Sequence, residues 1–231
     1  MPLTMNNFLK FSFFTIAGIF SLASCAEHNS TKNMAEENIK ATITDTASFG
    51  TGCFWCTEAI FERLNGVVKV ISGYAGGSVP NPTYAEVSTG TTGHAECCQV
   101  IFDPSIITYD ELLEVFWKTH DPTTLNRQGN DVGTQYRSVI FYHSEQQKEK
   151  AEHYKAALND SSVFNKPVVT AIEPYKNFYA AEDYHQKYFE YNPGQMYCRL
   201  VIAPKVEKFE KVFKTRLKSS AKNSEMANNG E

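Results

Sequence analysis

The stretch GTGCFWCTE, residues 50–58, decides how this sequence folds and what it does. A short segment rich in strand-forming residues, TASFGTG, ends in glycines. The residues that follow, CFWCTEAIFERL, place apolar side chains at helical spacing. The pattern predicts a strand, a glycine turn and a helix that begins at Cys53. This cysteine would then lie where free backbone N–H groups and the helix dipole favour a thiolate.

The spacing of Cys53 and Cys56 alone leaves three interpretations open. They form the redox pair of a thioredoxin-like disulfide exchanger, half of a zinc site, or a nucleophilic thiol with a resolving thiol one turn later. Zinc needs four ligands at recognisable spacings, and the sequence contains no second CxxC and no HxxxH. Cys97 and Cys98 are neighbours in a predicted strand and point to opposite faces. We therefore expect no metal.

The bulky Phe54 and Trp55 between the two cysteines favour the third interpretation. The intervening residues of a disulfide exchanger are usually small or include proline. Two aromatic rings beside a thiolate suit an apolar wall for a small group of a substrate. An exchanger also needs no acid or tyrosine near its thiol, so the residues around Cys53 distinguish the two functions.

The composition is that of a globular protein with one catalytic domain. The chain has 231 residues, 42% hydrophobic and 21% charged, and a formal net charge of −4. This charge does not favour nucleic acid or an acidic surface as a partner. The order of strand and helix patterns lacks a strict βαβ alternation, which predicts a single α+β domain with helices packed on a mixed sheet. The long polar loops at 74–85 and 121–135 are expected to carry function.

The N-terminus has the pattern of an export signal. Residues 1–24 combine a lysine, a short apolar stretch and small residues before Cys25, and Leu22 to Cys25 resemble a bacterial lipobox. A plain signal peptide with a chance cysteine is the alternative, and either Met1 or Met5 is the start. We expect lipidation of Cys25, a flexible tether over 25–45, a catalytic domain over 46–212 and a disordered tail over 213–231. The protein would then be an exported lipoprotein of the cell envelope.

Several long motifs resemble those of peptide methionine sulfoxide reductase A. They are GCFWCTEAIFERLNGVVKVISGYAGG, NPTYAEVSTGTTGHAE, FDPSIITYDELLEVFWKTHDPTTLNRQGNDVGTQYRS and AEDYHQKYF, and they lie between about 47 and 210. The resemblance implies the two-layer sandwich of that family and an enzyme that reduces methionine S-sulfoxide, free or in proteins. It implies no metal or organic cofactor, a thioredoxin-like or dithiol reductant, and a monomer.

The resemblance also implies roles for individual residues. Cys53 attacks the sulfoxide sulfur and becomes a sulfenic acid. Glu96 protonates or hydrogen-bonds the sulfoxide oxygen. The other residues that match the family's site are Phe54 and Trp55 as a cage for the substrate methyl, Tyr84 and Tyr136 as hydrogen-bond donors to the oxygen, Asp131 in the pocket wall, and Asp183 and His185 nearby.

Elementary chemistry agrees with these roles. A sulfoxide oxygen must gain protons as the thiolate attacks, which requires a buried donor and neutral hydroxyl groups. A carboxyl group in a dry aromatic pocket tends to stay protonated, and Glu96 lies in an apolar strand. From the residues alone, Glu96 could instead pair with a neighbour in the sheet, the tyrosines could be ordinary half-buried aromatics, and Asp131 could only form a turn.

One departure from the family concerns how Cys53 is recycled. The family motif usually reads GCFWG, and Cys56 replaces its last glycine here. Cys198 matches the family's C-terminal resolving cysteine, although the segment RLVIAPKVEKF replaces the usual glycine-rich continuation. Both thiols are therefore candidates. We expect Cys198 to be the partner, since the NPG before it predicts a mobile segment.

Overall fold

The computed structural model describes residues 43–161 and 163–219. The predictions for the signal peptide, for the lipidation of Cys25, for most of the tether and for residues 220–231 lie outside these ranges. Within them, no helix combines the length and the apolar character that crossing a membrane requires.

Six of the described strands form one sheet. They are β1 Asp45–Thr51, β2 Val67–Ala75, β3 Ala95–Phe102, β6 Ser138–Tyr142, β7 Ala171–Pro174 and β8 Phe178–Ala180. Two short strands, β4 Arg127–Gln128 and β5 Asp131–Val132, form a separate hairpin. The sheet order is β7-β6-β1-β3-β2-β8. Only β6 and β7 pair in parallel among these strands, so the sheet is mixed, as predicted.

Helices accompany the sheet. They are α1 Phe54–Phe61, α2 Tyr84–Ser88, α3 Tyr109–Thr119, α4 Glu145–Asp160, α5 Tyr188–Tyr191 and α6 Ala203–Val212. A capping box starts α3, because the Thr108 side chain accepts from the Glu111 N–H while the Glu111 carboxylate accepts from the Thr108 N–H. The single α+β domain is confirmed.

The main core lies between one face of the sheet and the helices. The Phe49 ring of β1 lies 5.3 Å from that of Phe61 and 5.2 Å from that of Phe116. Cys98 belongs to this core, whereas Cys97 belongs to a smaller cluster that includes Val139 and Phe141. The two neighbouring cysteines thus point to opposite faces of β3, as expected from strand geometry.

The packed domain extends beyond the predicted boundary at residue 212. Phe213 and Leu217 are buried, and Leu217 forms a β-bridge with Leu64. Residues 213–217 are therefore part of the domain and not of a disordered tail. A three-residue 3₁₀ turn, Lys214–Arg216, follows α6 and leads the chain to this contact. At the other end, β1 already begins at Asp45.

A glycine turn joins β1 to α1 and fixes the nearby loop. Gly52 has φ +97°, and a Cβ atom there would lie 2.5 Å from Gln128 Cβ. The Gln128 amide in turn accepts from the Asp121 N–H at 3.2 Å and donates to the Asp121 carbonyl at 3.0 Å. This contact brings the loop at 121–135, and with it Asp131, beside the start of α1.

Candidate active site

Cys53 is the residue that caps the N-terminus of α1, as the sequence predicts. Its carbonyl accepts from the Cys56 N–H at 3.1 Å, and its side chain is buried. The turn before it comes directly from β1, a central strand of the sheet. The position of the thiol is therefore set by the sheet on one side and by the first turn of the helix on the other.

Glu96 on β3 contacts the same end of α1. Its Oε2 atom accepts a hydrogen bond of 3.0 Å from the Phe54 N–H. The side chain is 1% exposed, and burial raises the pKa of this carboxyl to about 8. Glu96 is therefore mainly a neutral carboxylic acid at pH 7, which is the state that a proton donor needs.

The ionisation of Cys53 differs from the sequence prediction. Burial raises the pKa of the Cys53 thiol well above its usual value, and the nearby Cys56 and Glu96 add to the rise. The predicted thiolate is wrong for the free site, because the N–H group at the helix start binds Glu96 and burial outweighs the dipole. A hydrogen bond with Cys53 lowers the pKa of Cys56 instead.

Tyr197 is a site residue that the sequence analysis missed. Its hydroxyl donates its proton to Asp131 Oδ2 at 2.7 Å, and the same hydroxyl lies beside the Cys53 thiol. Asp131 thus lies within electrostatic reach of Glu96 and Cys56, and its charge raises the pKa of both. The one available signal was the position of Tyr197 next to Cys198.

The side chains of Tyr84 and Tyr136 lie near Glu96. Burial is the main cause that raises the pKa of each hydroxyl, with Glu96 as the next cause. Both hydroxyl groups are therefore neutral donors at physiological pH. Tyr84 is placed by the start of α2, where its N–H donates to Glu182 Oε1 at 2.9 Å. Tyr136 ends a 3₁₀ turn, Thr134–Tyr136.

Trp55 belongs to a group of aromatic side chains beside Cys53. Its ring stacks on Tyr188 with 3.7 Å between centroids and 9° between planes. Its Nε1–H donates to His185 Nδ1 at 3.1 Å, and the Phe54 ring lies 5.1 Å from that of His185. Both rings of the predicted cage therefore contact residues from a distant part of the chain.

The segment at 182–185 contributes two residues, but not Asp183. His185 is buried, burial lowers its pKa, and its Nδ1 accepts from Trp55, so the neutral ring carries its proton on Nε2. Glu182 accepts from Tyr74 Oη at 2.9 Å in addition to Tyr84. The Asp183 side chain is exposed and lines a different groove, beside α1 and β2. The structure therefore does not place it in the site.

Cys198 lies in ordered helical structure. It begins a π-helical segment, Cys198–Ile202, that leads into α6, and its side chain is 0% exposed. The structure thus has a helix where the preceding NPG predicted a mobile segment. Its thiol is within electrostatic reach of Cys56, which adds to the rise in the pKa of Cys198 caused by burial. The cysteines at 53, 56 and 198 are all free thiols.

The active site is identified by the chemistry of the residues around Cys53 and not by the size of a cavity. Two cavities of about 980 and 820 Å³ lie elsewhere on the domain and are lined by neither Cys53 nor Glu96. Among the described residues, no group of three or more His, Cys, Asp or Glu side chains is placed to hold a metal ion. A buried thiol, a protonated carboxyl group, neutral tyrosines and an aromatic cage define a thiol-dependent oxidoreductase.

Comparison with known proteins specifies the family. The family model for peptide methionine sulfoxide reductase matches residues 45–217. The peptide methionine sulfoxide reductase MsrA of Saccharolobus solfataricus is 55% identical over 174 residues, which cover 75% of this chain and 97% of the relative. That of Leptospira borgpetersenii is 52% identical over 177 residues, covering 76% and 99%.

Solved structures agree. Reduced Mxr1 from Saccharomyces cerevisiae has a TM-score of 0.61 at 38% identity, covering 67% of this chain and 89% of that one. Methionine sulfoxide reductase A of Corynebacterium diphtheriae has a TM-score of 0.59 at 41% identity, covering 65% and 76%. The chain belongs to the peptide methionine sulfoxide reductase family, and it is an oxidoreductase that reduces methionine sulfoxide.

Proposed function

We propose that the enzyme reduces the S epimer of methionine sulfoxide, free or in proteins, by attack of Cys53 on the sulfoxide sulfur. The observation that carries this mechanism is the protonated Glu96 at the start of the helix that Cys53 caps. The sulfur–oxygen bond of the substrate breaks, methionine leaves, and Cys53 becomes a sulfenic acid. The substrate sulfur is reduced as the cysteine sulfur is oxidised.

Glu96 supplies a proton to the sulfoxide oxygen as the thiolate attacks. Tyr84 and Tyr136 donate hydrogen bonds to the same oxygen, which their neutral hydroxyl groups allow. Phe54 and Trp55 contact the terminal methyl group of the substrate.

Recycling proceeds first through Cys56 in this proposal. The hydrogen bond between the Cys53 and Cys56 thiols supports this order over direct attack by Cys198. The Cys56 sulfur attacks Cys53, a disulfide forms, and the oxygen leaves as water. Cys198, which lies near Cys56, then exchanges into the disulfide. An external thioredoxin-like dithiol reduces the product, so no bound cofactor supplies electrons, and the protein acts as a monomer.

The test uses separated sulfoxide epimers with dithiothreitol as reductant. We expect turnover of the S epimer and none of the R epimer, and no methionine from Cys53→Ser. Without reductant, peptide mapping after one turnover should show a Cys53–Cys56 link in the Cys198→Ser variant. The first disulfide of the wild type is trapped by rapid quenching. If this first product is a Cys53–Cys198 link, the proposed order is refuted. Reduction of protein disulfides in place of sulfoxide would refute the function.

We also propose that the protein is exported and lipidated at Cys25. The lipobox-like residues 22–25 behind a short apolar stretch support this location. Intact-mass analysis of the native protein and membrane fractionation test it. A chain that retains residues 1–24, or an unmodified thiol at Cys25, would contradict the proposal.

A further inference from the structure

Helix α6 brings a lysine to the second cysteine of the CFWC motif. Lys205 Nζ lies 3.8 Å from Cys56 Sγ. Among the described residues, this ammonium group has no carboxylate within ion-pair distance, so the sulfur is its polar contact. Lys205 belongs to the segment RLVIAPKVEKF, which departs from the family pattern.

We propose that Lys205 is a catalytic residue of the recycling half-reaction, in which its ammonium group stabilises the Cys56 thiolate that attacks oxidised Cys53. This role rests on the proposed recycling through Cys56. A lysine is a compact point charge on a flexible stem, and it can stay with the sulfur as the sulfur moves toward Cys53. A thiolate, and not a thiol, is the nucleophile in such a step.

The charged groups around Cys56 show why its thiolate needs a cation nearby. The titratable groups that face the Cys56 sulfur are Cys53, Glu96, Asp131, Tyr197, Cys198 and Lys205. Lys205 is the only cation in this set. Burial opposes the thiolate, and the charge of Asp131 adds to this effect. The hydrogen bond from the Cys53 thiol favours the thiolate in the reduced enzyme, but this thiol is consumed when Cys53 becomes a sulfenic acid. Lys205 then remains as the cation that offsets Asp131.

The neighbour on the other side of Lys205 does not compete for this role. His120 donates from Nδ1 to the Phe116 carbonyl at 2.7 Å, and its Nε2 accepts from Ser138 Oγ at 2.7 Å. Burial, with a contribution from the charge of Lys205, lowers the pKa of His120 to about 4. The imidazole is therefore neutral at pH 7 and neither pairs with the ammonium group nor replaces it.

The step balances without a further reagent. The Cys56 thiolate attacks the Cys53 sulfur, the sulfur–sulfur bond forms, and the sulfur–oxygen bond of the sulfenic acid breaks. Cys56 is oxidised from thiol to disulfide, and Cys53 is reduced from sulfenic acid to disulfide. The hydroxide that leaves takes up the proton that Cys56 released, so the product is one water molecule.

The test compares three variants in a Cys198→Ser background, so that Cys56 is the only partner. Lys205→Met removes the charge and keeps the length of the stem, Lys205→Arg restores a cation, and Lys208→Met is the control. Lys208 lies one turn later on α6, is exposed and lines the same 820 Å³ cavity as Lys205. The first measurement is a pH titration of Cys56 by ¹³Cβ NMR in the reduced protein. The second is the rate of Cys53–Cys56 disulfide formation after one equivalent of sulfoxide.

We expect the midpoint of the Cys56 titration to rise by about one pH unit in Lys205→Met. This is the size of shift expected when one charged neighbour is lost from a site that water partly screens. Disulfide formation at pH 7 should slow about threefold to fourfold, because the greater nucleophilicity of the more basic thiolate offsets part of the lost thiolate fraction, and the pH profile should move by about one unit. Lys205→Arg should recover most of the rate, and Lys208→Met should match the parent.

Superimposable titrations of the parent and Lys205→Met would overturn the proposal, as would an equal shift in Lys208→Met. A shifted titration with no slowing of disulfide formation would overturn the catalytic role. Failure of the proposed function is distinguished by the methionine released in the single turnover, which is quantified in the same samples. The NMR titration needs no turnover.

Discussion

Replacing Glu96 with glutamine removes the acid of the first half-reaction while keeping its shape. The glutamine carbonyl can still accept from the Phe54 N–H, which lies 3.0 Å from Glu96 Oε2 in the wild type. With a pKa of about 8, the wild-type carboxyl is about nine-tenths protonated at pH 7. The variant loses nearly all of this donor capacity. We expect single-turnover methionine formation to slow by about 10²–10⁴ at pH 7, with little change in substrate binding.

The pH profile gives a sharper test. The reactive state pairs protonated Glu96 with ionised Cys53, whose pKa burial raises well above its usual value. The wild-type second-order rate should therefore rise about tenfold per pH unit up to about pH 8 and then level, because further gain of thiolate is offset by loss of the acid. In Glu96→Gln the rise should continue past pH 8.

The assay is rapid quenching at sub-saturating N-acetyl-methionine sulfoxide amide between pH 6 and 9.5. Stability provides the control. A carboxyl with a raised pKa in the folded state loses stabilising free energy as pH rises toward that pKa, by about 1.4 kcal/mol per unit between pH 5 and 8. Glu96→Gln should therefore unfold at higher urea than the wild type at pH 8. A variant that still levels at pH 8, or that reacts at the wild-type rate, would refute Glu96 as the acid.

Three further predictions concern other parts of the domain. Cys53→Ser should release no methionine in a single turnover, whereas Cys97→Ser and Cys98→Ser should release it, because only Cys53 lies at the start of α1 beside Glu96 and Cys56; loss of single-turnover activity in Cys97→Ser or Cys98→Ser would contradict this. Tyr197→Phe removes the hydroxyl that donates to Asp131 at 2.7 Å, and kcat/KM should fall about tenfold to a hundredfold; an unchanged value would leave Tyr197 without a role. Leu217→Ala should lower the free energy of unfolding, measured in urea, by about 2–5 kcal/mol, since the side chain is 2% exposed. A change near zero would show that the folded domain ends at residue 212.

The fold was predictable where local patterns coincide with tertiary structure. The strand, glycine turn and helix around Cys53 form a local pattern, and this prediction is confirmed. The spacing of apolar residues over 181–191 suits one helix, but the structure has a 3₁₀ turn, Asp183–His185, followed by Lys187 at φ +52° and α5. This break orients His185 and Tyr188 toward Trp55, which is a tertiary requirement that spacing does not encode.

The site was predictable in its residues but less so in its electrostatics. Family motifs identified Cys53, Glu96 and the tyrosines, and the structure brings them together. The raised pKa of Cys53 was not predictable, because it depends on how much protein covers the thiol. Tyr197 and Lys205 were missed because their contacts reach back across most of the chain.

These long sequence separations have a consequence for how the protein folds. Lys205 follows Cys56 by 149 positions, and His185 follows its partner Trp55 by 130. The two thiols of the CFWC motif are therefore synthesised long before the residues that cover them and set their ionisation. Non-local closure of this kind is slow compared with local helix formation. Until the last helix docks, the nascent chain carries an unshielded pair of cysteines, and any oxidant or chaperone meets them before the substrate does.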